Sequence, residues 1–198
     1  MKTLLTMALV LLMAGTAFAQ LENSMGVFFS DTEFTEANTN FDAPMNVPFA
    51  AHIVLMNPTQ ASIGGYECSL EVSPSLLALS VGGPNGWTNF GDNFNHLVGF
   101  TTPLMSPGDV VFATYSLMYM ADSVASDIFM GPSVPSSVDD AGPAIADGGN
   151  PDLLIVCNYT SGPDMDGIVA TLFGPGIEFP GGVATENQSW SGVKSLFE

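Results

Sequence analysis

The sequence predicts an all-β chain: an antiparallel β-sandwich, jelly-roll or Ig-like, of about nine strands with a short C-terminal helix. Three observations carry this expectation. Apolar runs are short and are punctuated by turn residues, among them 21 Gly and 14 Pro. Only 2 residues are Lys or Arg, so the long charged side chains that populate exposed helix faces are nearly missing. The stretch Tyr66–Val72 alternates strictly. Tyr66, Cys68, Leu70 and Val72 share one face and Glu67, Ser69 and Glu71 the other, the period of a half-buried strand.

Residues 1–19 read as a secretory signal peptide. Lys2 gives the positive start, Leu4 to Met13 is apolar apart from Thr6, and Ala17-Phe18-Ala19 is a small-x-small cleavage site. The run is short for a membrane span, although an uncleaved anchor is the alternative. The expected mature chain starts at Gln20, is secreted or held at a bacterial cell surface, and does not insert into a membrane. Residues 20–182 then form the sandwich, and 183–198 form a tail.

Along the domain, Ser24 to Ser30 reads as a first strand. Val47 to Met56 is nearly continuous apolar up to Asn57-Pro58 and reads as a central strand. Tyr66–Val72 follows Gly64-Gly65 and ends at Ser73-Pro74. Leu76 to Val81 is a shorter element before Gly82-Gly83-Pro84-Asn85-Gly86. His96 to Phe100 is short. Val110 to Met120, after the turn Ser106-Pro107-Gly108-Asp109, fits a core strand. Asp127 to Met130 stops at Gly131-Pro132. Asp139 to Asp152 is the longest predicted loop, and Leu153 to Tyr159 and Gly167 to Phe173 are the last strands. In the tail, Pro180-Gly181-Gly182 breaks the chain. Ser189 then caps a helix whose Trp190, Val193 and Phe197 share a face.

Charge excludes whole classes of partner. With 20 carboxylates against 2 basic residues and a formal charge of −18, phosphate groups find no cationic partners. Nucleic acid and anionic lipid are ruled out as ligands. The acidic surface suits cations, or simply solubility in an extracellular medium.

Each candidate site has a bland counterpart. Cys68 and Cys157 both point toward the predicted core. Export permits a disulfide between them, closing a loop of about ninety residues worth ~4 kcal/mol in the chain-entropy picture. The alternative is two buried thiols that never meet. His52 and His96 lie in strands, and no Gly-x-Ser-x-Gly elbow accompanies them, so both read as structural. Asp164-Met165-Asp166-Gly167 fails as an EF-hand, because Gly162 and Phe173 would occupy ligand positions. Asp139, Asp140, Asp147 and Asp152 form a candidate calcium loop or a solvated acidic one; no other cofactor is expected. Glu67 and Glu71, about 13 Å apart on one strand face, are too distant for glycoside hydrolysis and read as solvent-facing. Trp87, Phe90 and Phe94 are a candidate stacking surface for a glycan, or a plug for one end of the sandwich. Asn158-Tyr159-Thr160 and Asn187-Gln188-Ser189 match the glycosylation sequon, which a bacterial export signal makes uninformative.

Residues 46–135 resemble cohesin-like modules. The similarity runs through Val47-Pro48-Phe49 to Asn57-Pro58, then Ile63-Gly64-Gly65-Tyr66-Glu67-Cys68-Ser69-Leu70-Glu71-Val72-Ser73-Pro74-Ser75-Leu76-Leu77, and the turn Ser106–Asp109 with its long following strand. Related carbohydrate-binding sandwiches share these motifs. The resemblance implies a jelly-roll-like sandwich of the kind that binds dockerin modules and organises extracellular assemblies. The family's usual Asp before the turn proline is Ser73 here, and 139–182 finds no counterpart. The fold is therefore what carries over, without partner-contact residues. Val183 to Phe197 resembles an ending common to secreted bacterial proteins and implies a shared handling step. The resulting expectation is an exported, non-catalytic binding or scaffolding module for an extracellular protein or glycan. The alternatives are a self-assembling surface or matrix subunit and, third, a hydrolase.

Overall fold

Two long apolar runs set the frame. In the computed structural model Val110–Tyr119 and Pro48–Met56 lie antiparallel at the middle of one sheet. The structure describes residues 21–84, 86–163 and 166–180. The strands in chain order are β1 (Ser24–Phe28), β2 (Asn40–Phe41), β3 (Pro48–Met56), β4 (Ser62–Glu71), β5 (Leu76–Gly82), β6 (Trp87–Asn89) and β7 (Asn95–Met105). They continue with β8 (Val110–Tyr119), β9 (Ser126–Gly131), β10 (Ala144–Asp147), β11 (Leu154–Val156), β12 (Asn158–Tyr159) and β13 (Ile168–Leu172). A 3-10 turn, Glu36–Thr39, precedes β2.

The first sheet runs β12-β1-β3-β8-β5. The second is forked at β4. β7 pairs with β4 from Ser62 to Ser69 along one edge and carries β6 beyond it. The other edge is shared: β10 takes Ile63 to Glu67 and β9 takes Ser69 to Glu71. β11 extends the β10 branch, and β13 and then β2 extend the β9 branch.

The inner faces close on one core. Met25, Ile53, Leu55, Phe112, Tyr115 and Leu117 from the first sheet meet Ile63, Tyr66, Cys68, Ile128, Ile145 and Leu172 from the second. Tyr66 and Phe112 stack across the layers, with centroids 4.5 Å apart and planes 9° from parallel. A smaller cluster explains why the β3 run is apolar without alternation. Phe28, Val54 and Met56 point out of the sandwich and are covered by Phe34 and Phe179, so the end of β3 is buried on both faces.

The β-sandwich expectation holds, and four details change. The sheets are mixed, because β1 pairs β12 and β13 pairs β2 in parallel; each short parallel strand is the end of a long excursion rather than of a hairpin. Several added strands are two to four residues long, too short to show a period. The expected loop 139–152 contains β10, and His96–Phe100 extends to Met105. The expected strand Leu153–Tyr159 is cut at Cys157: β11 belongs to the second sheet and β12 to the first. The expected signal peptide, the tail helix and the Asn187 sequon lie outside the described residues.

Candidate functional site

Alternation on β4 decides which side chains leave the core. Tyr66 and Cys68 point in, so Gly65, Glu67 and Ser69 point out. The register then lays two rows across the outer face. One is Leu97, Glu67, Ala144 and Val156; the other is Gly99, Gly65, Ala146 and Leu154. Phe90 continues the first row, since its N–H donates to the Leu97 carbonyl at 2.9 Å. Glycine and alanine make the floor low, and the larger residues stand at its sides. The result is a groove of about 300 Å³. Its apolar sides are open to solvent, with Phe90 76% and Leu154 39% exposed, and Val156, next in the first row, is 43% exposed.

The one carboxylate lining the groove is Glu67. It was expected to face solvent, yet it is 7% exposed. The cause is the segment after β9, which folds over this end of the row. Ser137 N–H donates to Glu67 Oε1 at 2.9 Å, and the Ser136 hydroxyl approaches the same oxygen at 3.5 Å. Asn95 holds that segment with two bonds to the Val134 backbone, 2.8 and 2.7 Å. Glu71 is exposed, as expected.

The remaining candidates do not assemble with it. Trp87 and Phe94 are half-buried against the core, and Phe94 stacks on Tyr115. They plug the end of the sandwich, while Phe90 alone stands on the groove, so the three do not form one stacking platform. The acidic loop does not gather a cation site. Asp147 Oδ1 is occupied by the Gly149 and Asn150 N–H groups, and Asp139, Asp140 and Asp152 are exposed turn residues. Among the described residues no group of three or more His, Cys, Asp or Glu is placed to hold a metal ion.

The expected disulfide is not formed. Cys68 and Cys157 are both free and buried. Cys157 lies at the crossing between sheets, where its N–H donates to the Pro143 carbonyl at 2.7 Å. Cys68 sits on β4 opposite His96. Each packs as a small apolar residue. Burial pushes the Cys157 thiol up to about 12 and Cys68 further, so neither is a thiolate.

The histidines are structural. His52 shares a 3.0 Å hydrogen bond with the Thr114 hydroxyl, and burial lowers its pKa. His96 has no exposed surface. Its Nδ1 meets the Tyr66 hydroxyl at 2.7 Å, and its Nε2 meets the Asn93 carbonyl at 3.2 Å and the Tyr115 hydroxyl. Tyr115 O–H donates to the same carbonyl at 2.7 Å, and Trp87 Nε1–H donates to Tyr66 Oη at 3.4 Å. A carbonyl only accepts, so Nε2 carries the proton and Nδ1 accepts from Tyr66: the network closes around a neutral imidazole. No carboxylate takes part, so the constellation lacks the parts of a hydrolytic triad.

Sequence reasoning had flagged Phe90 but missed Leu97, Leu154 and the burial of Glu67. The Glu between Gly65 and the core-facing Cys68 looks like any outward strand residue. Only the cover supplied from residues 136–137, far along the chain, makes it different.

No family model matches the chain, and no curated protein matches it by sequence. Solved structures do. The sixth cohesin of scaffoldin B from Acetivibrio cellulolyticus, solved in complex with a dockerin, is 11% identical. It aligns over 77% of this chain and 98% of that one with a TM-score of 0.51. A cohesin module from the family 33 glycoside hydrolase of Clostridium perfringens is 8% identical over 69% and 90%, TM-score 0.47. A type I cohesin–dockerin complex from Clostridium thermocellum gives 14% over 73% and 93%, TM-score 0.47. The fold is a cohesin-like β-sandwich, and at these identities the likeness concerns the fold alone.

Proposed function

We propose that the chain is a non-catalytic protein-binding module whose docking face is the outer side of β6-β7-β4-β10-β11. One observation carries the reading. That face presents an apolar groove lined by exposed Phe90 and Leu154, with exposed Val156 in register beside Ala144, the kind of contiguous apolar surface that marks an interaction site. The first sheet also carries a shallow depression, lined by Pro48, Phe49, Ala50, Ser80, Thr114, Tyr115 and Ser116, and Ser80 there serves as the reference position. The fold adds support, since a solved chain of similar architecture is a cohesin in complex with a dockerin. Export through residues 1–19, and a secreted or cell-surface location, belong to the same proposal.

The test places a photoreactive phenylalanine analogue at position 90 of the full chain, in its native extracellular medium. A discrete protein adduct is expected there, absent when the analogue replaces Ser80 and lost in Leu154→Asp. Equal adducts at both positions, or no adduct alongside specific hits on a glycan array, would overturn the reading.

A further inference from the structure

We infer that the groove recognises a basic side chain, lysine or arginine, presented by the protein partner. The inference rests on the docking reading above for the partner's being a protein, and adds the chemistry that the site selects.

The argument starts from an incomplete carboxylate. Glu67 is 7% exposed and lines the groove. Both of its hydrogen bonds end on Oε1 and come from neutral donors. Among the described residues none ends on Oε2, which is also not among the fully enclosed unsatisfied atoms. That oxygen therefore opens on the groove. A largely desolvated anion is costly without a counter-charge, and the described residues hold no lysine or arginine: the two basic residues of the chain are Lys2 and Lys194. His52 and His96 are engaged with Thr114 and with the tyrosine network. A divalent cation is a poor candidate, because it needs several oxygen ligands and no cluster of three acidic, histidine or cysteine side chains exists among the described residues.

The shape around the carboxylate fits a long side chain with a cationic end. Gly65, Gly99, Ala144 and Ala146 leave room above the sheet, and Leu97 and Leu154 provide apolar walls. A methylene stem packs there while its head group reaches Oε2 in a charge-assisted bond. The Phe90 ring stands beside the track: a Cβ built on Gly99 would lie 3.9 Å from Phe90 Cε2. Its exposed face offers a cation–π contact to the same head group. The field of a chain with net charge −18 draws cations toward this site and repels acidic segments.

The experiment is an NMR titration of the full chain with n-butylguanidinium and n-butylammonium, the two side-chain ends without a backbone, and with pentanoate as the anionic counterpart. Both cations are expected to shift the amides of Gly65, Glu67, Leu97, Gly99, Ala144 and Ala146 in a saturable way, and pentanoate to shift none. Glu67→Gln keeps an acceptor for Ser137 N–H and removes the charge, so it should weaken the cations about tenfold. Phe90→Ala, at an exposed position that does not threaten folding, should weaken them about threefold. Shifts spread over the surface carboxylates and unchanged in both variants would overturn the inference. So would affinity that rises in Lys194→Gln, because the chain's own tail would then be the occupant. The two readings fail separately. A partner captured at position 90 in equal yield from Glu67→Gln refutes the basic side chain and leaves docking intact. Saturable cation binding with no captured protein supports the site and refutes docking.

Discussion

His96 is the most constrained titratable residue of the core. Its pKa is lowered from 6.5 to about 4, chiefly by burial, with the Asn93 carbonyl and Asp92 opposing. The hydrogen-bond pattern gives the same direction, since a second ring proton would face Tyr66 Oη and force that hydroxyl to give up its acceptor. The unfolded chain takes up this proton near 6.5 and the folded chain only near 4. The unfolded state therefore binds more protons between those values. Stability contributed by neutral His96 is complete above the upper value, falls as pH drops through the window, and levels off below it. The whole effect is about 3 kcal/mol. Urea midpoints measured from about pH 7 to about pH 5, where most exposed carboxylates are still ionised, should decline in the parent protein. They should decline less steeply in His96→Gln, where only His52, also lowered by burial, still takes up a proton on unfolding; equal slopes would show that other groups carry the dependence. The cysteines teach the converse at this scale. Their inward direction was legible from alternation, but pairing needs close Cα atoms and matched Cβ vectors, which alternation cannot supply.

β4 carries most of the architecture, and its strict alternation made it the clearest strand in the sequence. Its special role was not legible there. Gly65 sits where the register with β7 slips between Ile63 and Gly65, and a Cβ at that position would lie 2.4 Å from the Val98 carbonyl oxygen. Gly65→Ala must push β7 away and should cost about 1–3 kcal/mol, whereas Gly82→Ala, with nothing within 4 Å of the added carbon, should stay within about 0.5 kcal/mol. Chemical denaturation of the two variants tests this, and similar losses would mean that the close approach at Gly65 is not what the strand depends on. The elements the sequence read correctly, β1, β3, β5, β8, β9 and β13, bury residues on a regular face or in a continuous run. Of those it missed, β2 and β10 are held by pairing with strands remote in sequence, and β6 is a three-residue arm on the neighbouring β7; neither case leaves a local pattern to read. The break at Cys157 is a similar case: Leu154–Val156 and Asn158–Tyr159 look like one strand until two sheets compete for them.

At the scale of the molecule, the sheet edges are defended. β12 and β2 have 2 residues each, and β6 and β11 have 3. The longer edge, β5, is broken by an irregularity at Leu79 between the pairs of Ala78 and Ser80. Short and bulged edges resist strand addition, and the net charge of −18 opposes close approach of two copies. Light scattering after size exclusion should therefore show a single chain mass at any concentration. Growth with concentration would instead favour a self-assembling subunit joined through exposed Leu77 and Leu79 on β5. The sequence by itself determined the β-sandwich and the inward faces of its principal strands. These follow from composition and from periods of a few residues. Only the tertiary structure decided that the cysteines remain free thiols, that the acidic loop does not converge, and that an ordinary outward glutamate becomes the buried acid of a groove. Each of these depends on which distant segments are brought together across the sheets, and a local pattern holds no record of that distance.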